Sequence, residues 1–304
     1  MKPLVSYYGG NQRIASRIVE VIDTIPHTVY VEPFCGGAAV LFAKPAKHVT
    51  NTDDYREVIN DHDDRIITLY RVVRTQPDEL NRLIQLTPYS QAEYRRTVEI
   101  LKDPSGYSDL DRAWAYYVNV QQSFSKKLLG GWGTGASSEN KAATWANQQD
   151  RLPEIFARLR EVHISSEDAI DCIQRWDSPH TLFYCDPPYP GAEQGHYSGY
   201  SSDDWKRLCD CLDSIQGSYI LSNYQQPVEP QSAQRKIEIE AIASSSGAGK
   251  VGRRNKRHEM PTADELGDRR RTEILWVCDR SQNARSDLHG LLKYQQTSLL
   301  EVTA

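Results

Sequence analysis

The sequence predicts an α/β protein whose parallel sheet is interrupted by a helical insertion. Apolar residues alternate between helical and strand-like spacing over the first 75 residues. Helical spacing then dominates from about residue 77 to 160, and strand-like runs return from 161 onward. The 304 residues, 39% hydrophobic and 25% charged, are typical of a globular protein and suffice for one large domain or two modest ones.

Each predicted helix or strand rests on either the helical or the strand-like spacing of its apolar residues. The helix at 12–25 places Ile14, Ile18 and Ile22 on one face, and 28–34 is a β-branched and aromatic run that ends in a tight turn. The remaining elements are, in chain order, a short helix at 38–43, a strand at 55–59, helices at 64–73, 78–86, 91–101 and 110–121, a strand at 161–165, a helix at 167–176, a strand at 181–185, a helix at 203–215, and strands at 217–222 and 272–278.

Composition excludes several classes of protein. No apolar run approaches the ~20 residues that a bilayer span needs, and the opening residues lack the apolar stretch of a secretory signal. The six cysteines are scattered, without a CxxC pair or a neighbouring histidine cluster, which disfavours a disulfide framework or a structural zinc site. We therefore expect a cytoplasmic protein with no membrane partner and no metal.

Charge is unevenly distributed around a formal net charge of −5. The segment 51–64 carries six acids against one arginine, and 250–258 carries five Lys and Arg residues with no acid. The basic segment follows a Ser-, Gly- and Ala-rich stretch at 243–249, which is typical of a loop. A loop tipped with Lys and Arg suits a polyphosphate partner, although a solvated face is the simpler interpretation of each cluster.

The tetrapeptide Asp186–Tyr189 directly follows the strand predicted at 181–185. Ligands of open α/β sheets bind beyond the carboxyl ends of the strands. Two consecutive prolines fix the turn and remove two backbone donors, so nearby carbonyls point outward as acceptors. A carboxylate, a carbonyl and an aromatic ring within four residues form the set that an amino group on a planar base requires. A plain proline turn is the alternative, but the position after a strand favours base binding.

The segment Glu32–Gly37 also follows a predicted strand and leads into a helix. Its small residues let the backbone approach a ligand closely. The segment lacks the GxGxxG spacing of a dinucleotide site, which disfavours a nicotinamide oxidoreductase. Asp61 ends the next strand, where an acid commonly accepts hydrogen bonds from a ribose. Together these features predict a ribose-bearing cofactor without a pyrophosphate.

Six short motifs occur in an informative order: Tyr7-Tyr8-Gly9-Gly10, VEPFCGGAAV at 31–40, Asn60–Asp61, LFYCDPPY at 182–189, ILSNY at 220–224 and RTEILW at 271–276. In this order they resemble the α group of the Dam-type adenine-specific DNA methyltransferases. The resemblance covers most of the chain outside 75–160. It implies a Rossmann-like class I methyltransferase fold, with 1–75 and 161–304 as the catalytic domain and 76–160 as a predominantly helical inserted target-recognition domain.

The resemblance implies S-adenosylmethionine as the cofactor. Glu32–Gly37 would line its methionine part, Asp61 would bind its ribose hydroxyls, and Asp168 would accept from its adenine amino group. Asn11 stands where the family usually has Lys, so Gln12 or Arg13 would have to replace any charge contact there. The implied cofactor-binding residues are Tyr7, Tyr8, Gly9, Asn11, Glu32, Pro33, Phe34, Cys35, Gly36, Gly37, Asp61, Asp168 and Asp186.

The implied catalytic residues are Asp186, Pro187, Pro188 and Tyr189. The amino nitrogen of adenine is a poor nucleophile because its lone pair is delocalised into the ring. A carboxylate and a proline carbonyl that each accept one amino hydrogen would favour a more tetrahedral nitrogen as the methyl group arrives. Direct transfer needs alignment and charge stabilisation, with no metal and no covalent enzyme intermediate. A stacked base cannot reach such a pocket, so the target would flip out and stack on Tyr189.

We expect double-stranded DNA as the partner and a monomer or weak dimer, in a bacterial or phage-infected cell. For Trp132, a role in core packing is as well supported as a role in base recognition. The candidate DNA-binding residues lie in the 121–135 loop and the basic segment: Ser123, Lys126, Lys127, Trp132, Lys250, Arg253, Arg254, Lys256 and Arg257.

Two other functions stay open at this point. An amino-methyltransferase acting on cytosine or on RNA is the nearest alternative, although enzymes of that type on cytosine more often begin the tetrapeptide with Ser. A nucleic-acid-binding module that has lost catalysis is the second, and the intact Asp186–Tyr189 and Gly36–Gly37 count against it.

Overall fold

The computed structural model describes residues 1–5, 14–46, 55–134, 140–147, 151–190, 200–242 and 270–282. The strands in these ranges are β1 (Val29–Glu32), β2 (Arg56–Asn60), β3 (Val162–Ser165), β4 (Thr181–Cys185), β5 (Ser218–Asn223), β6 (Arg235–Ile242) and β7 (Arg270–Cys278). They form one sheet in the order β3-β2-β1-β4-β5-β7-β6. Strands β1 to β5 pair in parallel, and β7 lies antiparallel to both β5 and β6.

Helices of the described residues cover both faces of the sheet. They are α1 (Ala15–Ile22), α2 (Ala39–Ala43), α3 (Asp64–Thr75), α4 (Pro77–Leu86), α5 (Gln91–Lys102), α6 (Asp109–Gln122), α7 (Lys141–Ala146), α8 (Leu152–Leu159), α9 (Ala169–Trp176) and α10 (Ser202–Ser214). Helices α1 to α8 share one apolar core with the first face, and α9 and α10 pack on the second. None of these helices is long and apolar enough to cross a membrane.

The central strands are apolar on both faces because helices cover both. In β4, Leu182 and Tyr184 belong to the first core while Phe183 and Cys185 belong to the second. The same alternation continues along β7, where Leu275 points into the first core. Strands buried on both faces read as nearly continuous apolar runs, which is why the sequence reveals them. The α/β prediction and the Rossmann-like fold class are confirmed.

Helices α4 to α8 occupy the interval between α3 and β3, where the sequence predicts a helical insertion over 76–160. Helix α6 begins at a capping box, in which the Ser108 hydroxyl accepts from the Asp111 N–H and the Asp111 side chain accepts from the Ser108 N–H. Buried residues of α6 and α8 lie in the same core as α1 to α3. The insertion therefore packs mainly on α3 and shares the apolar core on that face of the sheet, and its exact domain boundaries stay a prediction.

One strand was not predicted from the sequence. Strand β6 pairs with β7 alone among the described strands and forms the edge of the sheet. Ile237 and Ile239 alternate there with exposed charged residues, so the segment reads as polar. The other predicted elements agree with the structure to within three residues at each end.

Candidate active site

The site lies where the strand order reverses. The chain moves from β1 outward to β2 and β3, and then returns to β4 on the other side of β1. Ligands of such sheets bind in the crevice at this point. Glu32–Gly37 follows β1 and Asp186–Tyr189 follows β4, so the two motifs flank the crevice on paired strands. The ends of β1, β2 and β3 form the β1–β3 half of the site, and the ends of β4 and β5 with the start of β7 form the β4–β7 half.

The turn after β1 is held by hydrogen bonds. Gly36 has a φ of +44°, and Ala38 follows with a φ of +49°, both in the left-handed region that favours glycine. The Gly36 N–H donates to Asp61 Oδ2 at 2.8 Å, and the Tyr70 hydroxyl donates to the Gly36 carbonyl at 3.2 Å. Both polar groups of Gly36 are therefore tied to β2 and α3, which sets the shape of the loop.

Asn60 joins the ends of three strands. Its Nδ2 donates to the carbonyls of Pro33 and Glu167, each at 3.0 Å. Its Oδ1 accepts from the Ser165 hydroxyl at 3.0 Å and from the Glu167 N–H at 2.9 Å. The side chain is fully buried with its hydrogen-bonding capacity in use, so it fixes the loops after β1 and β3 to the end of β2.

Asp61 and Asp168, both expected to bind the cofactor, lie at the same edge of the sheet. Asp61 is 1% exposed, and its two carboxylate oxygens accept from the Gly36 N–H and, at 2.9 Å, from the Asp63 N–H. Asp168 is exposed and caps α9 by accepting from the Ile170 N–H at 2.9 Å. Each carboxylate thus shapes the local backbone, and the proposed contacts with a cofactor stay predictions.

Glu32 is a buried acid at the end of β1. The Tyr30 hydroxyl donates to Glu32 Oε1 at 2.8 Å, and both side chains are buried. Burial raises the pKa of Glu32 from its ordinary value of 4.5 to about 7. This carboxyl therefore changes its charge near neutral pH, beside the loop that the sequence assigns to the cofactor.

Asp186 extends β4 at the other side of the crevice and is partly exposed. Within the described parts of the chain, no hydrogen-bond donor contacts its carboxylate. Burial raises its pKa well above the ordinary value, and the nearby Glu273 and Glu32 carboxylates raise it further. Pro187 and Pro188, which follow, are both buried. An acid in this position gains most from a ligand that supplies hydrogen-bond donors or positive charge.

Two residues that were not among the sequence-predicted site residues contact Tyr189: Tyr224, directly after β5, and Glu273, on β7. The Tyr189 ring stacks on Tyr224, with 4.5 Å between ring centroids. Its hydroxyl lies 3.3 Å and 3.4 Å from the two carboxylate oxygens of Glu273. Ser222 donates to Glu273 Oε1 at 2.8 Å. An acid inside the apolar run at 272–278 was the signal in the sequence that these contacts existed.

Two buried polar atoms near the crevice have no hydrogen-bond partner among the residues that the structure describes: Asn223 Nδ2 at the end of β5 and the Tyr200 hydroxyl before α10. The Asn223 amide is oriented by its oxygen, which accepts from the Tyr224 N–H at 2.7 Å and from Gln226 Nε2 at 3.1 Å. Tyr200 contacts Phe34 edge to face. Buried donors without acceptors are costly, and a bound ligand is one means of satisfying them.

The loop after α6 packs against other residues of the insertion. Ser123 is buried, and its hydroxyl donates to the Val120 carbonyl at 3.1 Å. The Trp132 ring lies against Tyr89 with 5.4 Å between ring centroids, and its backbone bridges to Ser123. Both residues thus have packing roles, whatever part they take in DNA binding.

The two lysines of this loop differ in their hydrogen bonds and in their exposure. Lys126 Nζ donates to the backbone carbonyl of Gln121 at 2.9 Å and to its Oε1 at 2.6 Å, whereas Lys127 is exposed. Other predicted site residues lie outside the described residues: Tyr7, Tyr8, Gly9, Asn11, Lys250, Arg253, Arg254, Lys256 and Arg257. In the part of the chain that the structure describes, no group of three or more His, Cys, Asp or Glu residues could hold a metal ion.

The fold and this site define a class of protein. A doubly wound sheet with an antiparallel strand beside β5, a glycine turn after β1 and an Asp-Pro-Pro-Tyr turn after β4 agrees with the Rossmann-like methyltransferase fold that the sequence motifs imply. The family model of the D12 class N6 adenine-specific DNA methyltransferases matches residues 7–247. Because this match spans most of the chain, the protein belongs to that family and is an adenine-specific DNA methyltransferase.

Solved structures similar to this chain include two of the rRNA methyltransferase AviRa from Streptomyces viridochromogenes, at 2.4 Å and 1.5 Å. They are 12% and 10% identical in sequence and have a TM-score of 0.38 each. Each match covers 91% of this chain and 89% of the other. No curated protein matches this chain.

Proposed function

We propose that the protein transfers a methyl group from S-adenosylmethionine to the N6 atom of an adenine flipped out of double-stranded DNA. The observation that carries this proposal is the adjacency of two motifs at the switch point of the sheet. One is the hydrogen-bonded glycine turn after β1, and the other is Asp186, whose carboxylate accepts no hydrogen bond from the described residues. The first suits a cofactor held in a fixed place, and the second suits a substrate amino group.

The residues of the crevice fit a cationic donor. Glu32, Asp186 and Glu273 are acids whose pKa values burial raises, so a positive charge beside them lowers the free energy of their ionised forms. S-adenosylmethionine supplies a methyl group on a positively charged sulfur. In this proposal Glu32–Gly37 holds its methionine part. Asp61 would bind the ribose hydroxyls and Asp168 the adenine amino group.

The β4–β7 half would bind the target base. The Asp186 carboxylate and the Pro187 carbonyl each accept one hydrogen of the adenine amino group, which orients the nitrogen lone pair toward the incoming methyl group. The developing positive charge on that nitrogen is stabilised by the Asp186 carboxylate. The raised pKa of Asp186 also suits it to take the proton that the amino group loses after transfer.

An adenine stacked in a duplex cannot enter this crevice, so the base must leave the helix. Tyr189, backed by the Tyr224 ring, offers an aromatic face for it. We assign the residues of α4 to α8 and the loop after α6 to DNA recognition, together with the basic segment at 250–257. Such an enzyme would act in the cytoplasm of a bacterial or phage-infected cell.

The test is incubation of the purified protein with S-adenosylmethionine labelled in its methyl group and with unmethylated double-stranded DNA. Label recovered in N6-methyladenine supports the proposal, and sequencing of the modified DNA then maps the recognition sequence. Label in cytosine, or label in RNA alone when RNA is added beside the DNA, would overturn the assignment of the substrate. DNA binding without any transfer would overturn the assignment of an active enzyme.

A further inference from the structure

Glu273 is an acid in a position that the fold makes costly. Strand β7 alternates between the two apolar cores, and Glu273 continues the face of Leu275, which lies in the core beneath α1 to α8. Its side chain is 3% exposed, and no Lys or Arg of the described residues forms an ion pair with it. Burying an unpaired carboxylate is unfavourable unless hydrogen bonds compensate for its lost hydration. An acid buried at this position must therefore be stabilised by specific contacts.

Two hydroxyl groups provide the contacts that stabilise Glu273. The Ser222 hydroxyl, on the neighbouring strand β5, donates to Oε1 at 2.8 Å and holds the carboxylate in one orientation. The Tyr189 hydroxyl lies 3.3 Å and 3.4 Å from the two oxygens. Two hydroxyl donors thus converge on one acceptor-only group, which a carboxylate satisfies better than an amide because it carries no N–H.

The same contacts hold the Tyr189 ring at two points. Glu273 anchors the hydroxyl end, and Tyr224 lies against the ring with 4.5 Å between centroids. Register explains this convergence: Asn223 pairs with Ile274, and continuing the antiparallel register by one residue sets Tyr224 opposite Glu273. The ring is therefore fixed by Tyr224 and Glu273, which follow it in the chain by 35 and 84 residues.

We propose that Glu273 is a positioning residue for the target base: with Ser222 behind it, it anchors the Tyr189 hydroxyl so that the ring stands where an extruded adenine stacks. This inference rests on the proposed function, because it names the group that orients the stacking residue of that site. It gives Glu273 no direct contact with the substrate. The predicted defect of a variant is a less ordered extruded base, with cofactor binding preserved.

The experiment uses the full chain and a duplex that carries the mapped recognition sequence, with 2-aminopurine in place of the target adenine. Unstacking of 2-aminopurine raises its fluorescence, and its emission reports whether the extruded base stacks in an ordered pocket. The variants are Y189F, which removes only the hydroxyl, E273A, which removes the anchor, and the double variant. E273Q keeps a hydrogen-bonding group at the anchor and tests for rescue.

We expect Y189F and E273A each to lower kcat by about five- to tenfold, the effect of one hydrogen bond of 1.0–1.4 kcal/mol. Both should change the 2-aminopurine emission of the complex in the same way. The double variant should be no worse than the more impaired single variant, because the two substitutions remove one interaction. E273Q should recover part of the loss, and S-adenosylmethionine affinity should stay within about twofold throughout.

The matched control is E238Q, a change of the same type at an exposed position of the adjacent strand β6, which should leave every measurement unchanged. Multiplicative losses in the double variant would overturn the inference, as would a Y189F enzyme with wild-type emission and kcat. If E273A fails to fold, Y189F still tests whether the anchored hydroxyl matters, because that substitution creates no cavity at β7. A wild-type enzyme that transfers no methyl to adenine would instead overturn the proposed function.

Discussion

The two halves of the site use their polar groups in opposite ways. In the β1–β3 half, Asn60 makes four hydrogen bonds within the protein and Asp61 accepts from two backbone N–H groups. In the β4–β7 half, the Asp186 carboxylate accepts no hydrogen bond from the described residues, and Asn223 Nδ2 is buried without a partner. Asn60 and Asp61 in the β1–β3 half thus already have hydrogen-bond partners, whereas the β4–β7 half contains a carboxylate and an amide N–H that lack one among the described residues.

The difference indicates how the two ligands are bound. A loop whose backbone is already tied down loses little entropy when a cofactor binds, so the β1–β3 half is preorganised. An unsatisfied acid with a raised pKa gains free energy only when a donor reaches it. Such a group favours the substrate amino group over water most strongly when the bound substrate excludes solvent from the crevice. The comparison predicts that the β1–β3 half governs stability and cofactor affinity, while the β4–β7 half governs turnover.

The largest expected effect is that of D186A on methyl transfer. Loss of the carboxylate removes a hydrogen-bond acceptor and the charge that stabilises the developing cation, and we expect a fall of roughly 10³-fold or more in kcat. Affinity for S-adenosylmethionine, measured by calorimetry, should change by only a fewfold. The control is D203A, which removes an exposed acid from the first turn of α10. A D186A enzyme with near-normal turnover would remove Asp186 from the catalytic role.

The next largest contrast is in stability. N60A leaves the groups at the ends of β1 and β3 unpaired, and we expect a loss of about 3 kcal/mol in urea denaturation. N223A removes two accepted hydrogen bonds but also an unsatisfied N–H group, and should cost about 1 kcal/mol. Cofactor affinity should fall in N60A alone. Equal losses of stability and affinity in the two variants would contradict the division between the halves.

The pH dependence of stability should report the buried acids. Because the pKa of Glu32 is raised to about 7, the folded state binds more protons than the unfolded state between about pH 4.5 and 7. Stability should therefore fall as pH rises through this window and level off above it. Charging Glu32 costs up to about 3 kcal/mol. The E32Q variant should show a flatter profile in thermal unfolding, although Asp186 and Glu273 contribute in the same direction.

The control for that profile is E20Q, which neutralises an exposed acid on α1 and should leave the slope of the wild type intact. A cationic cofactor should shift the fall in stability to lower pH, since positive charge favours the ionised acids. An E32Q protein with the full wild-type slope would show that Glu32 is not the group that titrates.

The smallest expected effect concerns DNA affinity. K127A should weaken DNA binding by about two- to threefold and lower the dependence of log Kd on log salt by about one, if Lys127 contacts a phosphate. K126A should lower the slope less, because Gln121 already accepts from its ammonium group. Fluorescence anisotropy at several salt concentrations measures both. Cofactor affinity should not change in either variant, and a parallel loss would tie this loop to the β1–β3 half.

Much of the fold was predictable because its strands are buried on both faces. The β-branched and aromatic runs at 29–32 and 181–185 favour central strands, and the tight turns after them mark the edge that carries the site. Strand β6 was missed because an edge strand needs only one apolar side, and Ile237 and Ile239 stand among charges. An edge strand is decided by its neighbour β7, which lies at least 28 residues further along the chain.

The residues of the site also divide into those that the sequence predicts and those that only the structure reveals. The sequence by itself determined the two motifs beside the switch point, Glu32–Gly37 and Asp186–Tyr189, because backbone chemistry at strand ends is local. Only the tertiary structure decided that Asn60 joins three strands and that Glu273 meets Tyr189 across β5 and β7. The physical reason is register: which side chains meet across a sheet depends on strand order and pairing, which residues distant in the chain settle together.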